Sequence, residues 1–288
     1  MKIIVIEGID GSGKSVVARG VVKALRELYG VNAKYIHFPN ENGFYGKRIY
    51  EFLNGDVIGI NNTPIKFSDI GFITQWMLYA LDRQDFFINN KNDLWNAVLI
   101  CDRYTTSSTI YQLVGLRKFH SDVLNRSINE YRGKKDPSLN LTIGLLDEKL
   151  KDVSDIKKWF DGDRWIAGNE FPEYSVSAAN MVLHILQTEY HVMGIPVPNE
   201  IYYIIREGER TLSTSTQDEF ENIEFAKQVD TIGDLVAEKS GWKKIVNRYL
   251  QVNQTISEIV SDIAANISIS MSETIKYEEN ISTESLLI

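Results

Sequence analysis

Residues 3 to 6 are apolar without a break, and the polar Glu7 and then Gly8 follow at once. So short a run of branched side chains reads as a strand over residues 2 to 7 rather than as a helix. Past a glycine-rich stretch, Val17, Val21, Leu25 and Leu28 recur at helical spacing, and Gly30 stands where a helix is stopped. Residues 33 to 38 predict a second strand. The run from Ala97 to Cys101 is apolar at every position, as in a strand covered on both faces, and it ends on Asp102. Further along, residues 180 to 193 predict a helix and Ile201 to Ile205 a strand. Ile256, Ile259, Val260, Ile263 and Ile267 form one face of a late amphipathic helix. Strands alternating with helices in this rhythm predict an α/β fold, with a parallel sheet between helical layers.

Two stretches break the rhythm. The segment from about 115 to 178 is too long for one crossover, and its Trp159, Phe160, Trp165 and Phe171 predict a packed, mostly helical insertion rather than a loose loop. From about 269 the chain turns polar and weakly acidic, which predicts a flexible tail over 269–288. The expected organisation is therefore one domain over 1–268 with an insertion.

Composition narrows this picture only at its edges. A hydrophobic share of 43% and a charged share of 24% exclude a disordered or fibrous chain. A formal charge of -8 argues against a broad surface for nucleic-acid phosphates, but not against a few cations aimed at one small phosphorylated ligand. The single cysteine, Cys101, cannot form an internal disulfide and reads as a core residue in a reducing compartment. The apolar start is too short for a signal-peptide core, and no membrane-spanning run follows, so a soluble cytoplasmic protein is expected.

The chemistry is concentrated between the first strand and the first helix. Gly8-Ile9-Asp10-Gly11-Ser12-Gly13-Lys14-Ser15 is a full match to the phosphate-binding P-loop. Glycines let successive backbone N–H groups turn inward onto an anion, and the helix that follows adds its positive end. In such a loop Lys14 bridges the β- and γ-phosphates of ATP, and the Ser15 hydroxyl is a ligand for Mg²⁺. The motif predicts triphosphate binding and leaves the acceptor open.

Several further blocks, in order, resemble the thymidylate kinase family. They are the acidic Asp10 inside the loop, Phe38-Pro39 after the second strand, Leu78-Tyr79-Ala80-Leu81-Asp82-Arg83, and Asp102-Arg103-Tyr104 followed by Ser107, Ser108, Tyr111 and Gln112. The resemblance implies a P-loop three-layer sandwich with a five-stranded parallel sheet, transfer of the ATP γ-phosphoryl group to dTMP, and a homodimer. It places Asp10 at the acceptor sugar, Tyr79 on the thymine ring, Arg83 at the base edge and Arg103 at the acceptor phosphate. It sets Tyr111 against the deoxyribose, and Phe38, Pro39, Ser107, Ser108 and Gln112 around the same nucleotide. Asp102, at the carboxyl end of a parallel strand, suits the organisation of Mg²⁺ beside Ser15. Taken singly, each has a plainer reading: Tyr79 as core, Arg83 as a surface partner of Asp82 or Asp85, Asp102 as a helix cap.

Charge spread over a phosphoryl group in flight calls for a mobile cation. Arg210, with Arg206 second, stands in a polar stretch suited to a lid, and Gly11 leaves the P-loop without an arginine of its own. The family often has an arginine after Phe-Pro where this chain has Asn40-Glu41; Lys47 and Arg48 are candidate substitutes. The rival expectations are a deoxynucleoside kinase, a kinase of another pyrimidine deoxynucleoside monophosphate, and a P-loop switch without catalysis.

Overall fold

The computed structural model describes residues 1–59, 61–65, 67–70, 72–111, 114, 188–206, 223–239, 241–247 and 256–284. The insertion and the stretch assigned to the lid lie outside them, as does most of the helix expected over 180 to 193. Only a π-helical turn, Thr188–Val192, is described there.

Five strands form one sheet: β1 (Lys2–Gly8), β2 (Ala33–His37), β3 (Val98–Asp102), β4 (Glu200–Arg206) and β5 (Lys243–Asn247). Their spatial order is β2-β3-β1-β4-β5, and every pairing is parallel. The connecting helices are α1 (Lys14–Tyr29), α2 (Phe44–Leu53), α3 (Phe72–Asn90), α4 (105–111), α5 (Ile223–Lys239) and α6 (Ile256–Glu284).

Because side chains alternate across a strand, β1 feeds two cores. Ile4 and Ile6 pack with Val17, Val21 and Leu25 of α1 and with Ile259, Ile263 and Ile267 of α6. Ile3 and Val5 pack on the other face with Phe38, Ala80, Leu99, Cys101 and Tyr104. Each such buried aliphatic side chain contributes about 1.5–3 kcal/mol, so the central strand is anchored from both sides. Cys101 is a buried free thiol, as expected. Helix α1 ends at Gly30, whose φ of 62° is the left-handed stop that an L side chain resists.

One boundary moves. Helix α6 continues to Glu284, Met271 packs against the core, and Lys2 donates from Nζ to Ser270 Oγ at 2.7 Å. The chain from 269 to 284 thus lies within this helix.

Candidate active site

The P-loop spans the carboxyl end of β1 and the first turn of α1. Gly13 is the N-cap of α1 at φ 89°, and a Cβ there would come within 2.9 Å of Asn247 Nδ2. That amide donates to Ser12 O at 2.8 Å, tying the loop to the end of β5. Lys14 is buried and donates from Nζ to Asp10 Oδ1 at 2.9 Å and to Ile9 O at 3.3 Å. Burial, and then the charge of Arg103, lower its pKa against the attraction of Asp10.

The register of β1 on β3 sets Ile6 beside Asp102, so the residues that follow the two strands are neighbours. Arg103 adopts a left-handed φ of 69° and donates its backbone N–H to Ile6 O at 3.3 Å. From there its guanidinium donates to Asp10 Oδ1, to Tyr111 Oη at 3.3 Å and to Ser107 Oγ at 3.5 Å. The Tyr111 hydroxyl donates to the other oxygen of Asp10 at 3.1 Å. Protein crowding on one side of Asp10 favours the neutral acid, yet the charges of Arg103 and Lys14 outweigh it and hold the carboxyl well below the usual range. Glu7, buried beneath, accepts hydroxyl hydrogen bonds from Thr106 at 2.7 Å and Ser107 at 2.6 Å, fixing the start of α4. Ser108 is buried beside them.

Asp102 is fully buried, and its Oδ2 receives Tyr35 Oη at 3.1 Å and His37 Nδ1 at 3.1 Å. Burial raises its pKa, but hydrogen bonding from His37, the charge of Lys14 and the Ser15 hydroxyl bring it down to about 2. Its Oδ1 has no hydrogen-bond partner among the described residues. An ionised carboxylate with one buried oxygen unmatched, beside a P-loop hydroxyl, fits a hard cation that takes its remaining ligands from phosphate and water. No cluster of three or more His, Cys, Asp or Glu side chains suited to a metal occurs among the described residues.

The other expected acceptor residues are on α3 and at the end of β2. Asp82 Oδ2 accepts the Asn40 N–H at 2.8 Å, which ties α3 to the turn after Phe38-Pro39. A Cβ on Gly46 would lie 2.0 Å from Asn40 O, so only glycine permits α2 to approach this turn so closely. Phe38 packs inward against Phe86, Phe87 and Tyr104, which makes it core, and the bond to Pro39 is cis. Tyr79 is half-buried with its ring edge-on to Phe67 at 5.7 Å. Arg83 is buried and pairs with neither Asp82 nor Asp85: its partner is Glu189, at 2.7 Å. Of Tyr79, Arg83 and Arg103, therefore, Arg103 reaches the P-loop, through its hydrogen bond to Asp10. Arg48 pairs with Glu51 at 2.5 Å, and Lys47 is exposed. Gln112 and Arg210 lie outside the described residues, and Arg206 closes β4, with its Cα level with that of Asn247.

Sequence reasoning missed Glu7, Tyr35, His37, Asn247 and Glu189. Pairing β2 with β3 would have found His37, which lies level with Asp102. Asn247 and Glu189 leave no comparable signal, since each meets its partner across more than a hundred residues of chain.

A parallel sheet with this P-loop after its central strand, and Asp102-Arg103 closing the neighbouring one, is the frame of a P-loop nucleotide kinase, and the likeness to known proteins places it among the ATP-dependent nucleoside-monophosphate kinases. The thymidylate kinase family profile matches residues 6–141. The probable thymidylate kinase of Methanococcus maripaludis is 34% identical over 159 residues, covering 54% of this chain and 67% of that one. That of Methanocaldococcus jannaschii is 31% identical over 159 residues, with 54% and 73% covered. The chain belongs to the thymidylate kinase family. The structure of thymidylate kinase from Candida albicans has the same fold, with a TM-score of 0.53 at 16% identity, covering 94% of this chain and 92% of that one.

Proposed function

We propose that the protein transfers the γ-phosphoryl group of ATP to dTMP, giving dTDP. The observation that carries this reading is the cluster in which Lys14 of the P-loop, Arg103 after β3 and Tyr111 of α4 all meet on Asp10. A donor cradle and a cationic side chain suited to an acceptor phosphate thereby meet on one carboxylate, and positioning two phosphates end to end is the larger part of phosphoryl-transfer catalysis. Kinship with enzymes named thymidylate kinase supports dTMP as the acceptor.

In the proposed reaction an acceptor phosphate oxygen attacks the γ-phosphorus in line with the leaving β-phosphate oxygen. Lys14 exchanges Asp10 for the β- and γ-phosphates. Arg103 holds the acceptor phosphate, Tyr111 packs against the deoxyribose, and Tyr79 and Arg83 face the base. Ser15 and Asp102 would hold Mg²⁺, which would supply positive charge beside the transferring phosphates. Arg210, with Arg206 behind it, supplies the lid cation. No covalent enzyme intermediate and no strong base are needed. Dimer formation and a cytoplasmic setting belong to the same reading; no helix among the described residues is long and apolar enough to cross a membrane.

The test is coupled ADP release with dTMP, dUMP, dCMP, dGMP, dAMP and thymidine as acceptors. dTMP is expected to give the highest kcat/KM. Equal rates with thymidine and dTMP would show a nucleoside kinase instead.

A further inference from the structure

Glu189, in the π-helical turn ahead of β4, is completely buried. Its Oε2 accepts Nε of Arg83 at 3.0 Å and Nη2 at 2.7 Å, and its Oε1 accepts Nε1 of Trp76 at 2.5 Å. Trp76 and Arg83, two turns apart on α3, are equally enclosed. The chain around Glu189 is fastened on both sides. Gln84 donates to Met193 O at 3.0 Å, Tyr104 donates to Pro196 O at 2.8 Å, and the Tyr190 and Thr105 hydroxyls are 2.7 Å apart. One short segment thus bridges α3 to the start of α4, the two elements expected to receive the acceptor.

Two consequences follow from the chemistry of the pair. A guanidinium gripped along its Nε and Nη2 edge has its outer edge fixed in direction, so less side-chain freedom is lost when a ligand binds. A carboxylate in contact also cancels the charge. A bare cation at this depth would draw the acceptor's phosphate; a neutralised one remains an N–H donor suited to a carbonyl oxygen.

We propose that Glu189, supported by Trp76, is a positioning residue for acceptor recognition: it fixes and neutralises Arg83 so that the guanidinium meets the carbonyl-bearing edge of a pyrimidine base rather than a phosphate. The inference rests on the function proposed above. Glu189 touches no reacting atom and acts through Arg83.

Steady-state kinetics on the full chain, with dTMP and dCMP as acceptors and thermal unfolding as a folding control, test it with Glu189→Gln, Trp76→Phe, Arg83→Ala and the Glu189→Gln/Arg83→Ala double variant. Glu189→Gln is expected to raise KM for dTMP about tenfold and to narrow the preference for dTMP over dCMP. KM for ATP and kcat are expected to stay within about twofold of wild type, a split that general loosening of the fold would not produce. Trp76→Phe, the milder change, is expected to shift KM the same way by less. In the Arg83→Ala background the Glu189 substitution is expected to add nothing. An unchanged KM for dTMP in folded Glu189→Gln overturns the proposal, as does an undiminished effect without Arg83. If Glu189→Gln does not fold, an unchanged KM in folded Trp76→Phe overturns it equally. Wild-type protein inactive toward every nucleoside monophosphate would sink the proposed function itself.

Discussion

Lys14 and Arg103 are held by the same atom, Oδ1 of Asp10. One cation begins the P-loop helix and the other follows β3, so a single carboxylate offsets the repulsion between donor-side and acceptor-side charge. Asp10→Asn keeps the shape and removes that compensation. About a tenfold or greater fall in kcat/KM for the acceptor is expected, measured by ADP release. The depressed pKa of Asp10 contributes stability above the unfolded value near 4, lost as pH falls through the lower folded value. Unfolding midpoints of the variant should therefore decline less steeply below about pH 4.

Lys14→Ala is expected to reduce kcat by about 10² or more, because a preorganised charge at the transferring phosphates is lost. Far-UV circular dichroism should stay the same, since the two cores do not depend on this side chain. A variant retaining more than about a tenth of wild-type kcat would contradict the role given to the P-loop.

Asn247→Ala withdraws the donor from Ser12 O and leaves a buried carbonyl without it. A loss of about 1–3 kcal/mol in unfolding free energy is expected. KM for ATP should rise while KM for dTMP holds, because the slackened element is the donor loop. Denaturant titration and initial rates check the two parts separately.

Asp82 gives a pH dependence of opposite sign to Asp10. Burial raises its pKa to about 6, so the folded protein binds a proton that the unfolded chain has already released. Stability from this site is present below the unfolded value near 4 and is lost as pH rises to about 6, by an amount on the order of 2–3 kcal/mol. Asp82→Asn should flatten that part of the stability profile in thermal unfolding between about pH 4 and 6.

Much of the sheet was legible because its strands are apolar runs with sharp polar ends, and a strand that must be covered on both faces can hardly be written otherwise. The P-loop was legible because backbone curvature around an anion demands glycine at fixed spacing. β5 was not: it reads Lys-Lys-Ile-Val-Asn, and its place at the sheet edge comes from pairing with β4, not from its own pattern. The site divides in the same way. Asp10, Asp102 and Arg103 stand in local motifs that single them out, whereas Glu7, His37 and Asn247 act through register or long-range contact. Arg83 was identified as a residue of interest, but its partner could not be, since Glu189 lies 106 positions away.

The five residues of β3 place Asp102 level with Ile6 and with His37. Adding or deleting one residue inside this strand would invert its pleat, turning the carboxylate toward the opposite layer and bringing Cys101, for an addition, or Arg103, for a deletion, into its place. Drift in length is thus excluded within β3, whatever its side chains become, for as long as Asp102 is to stay level with Ile6 and His37.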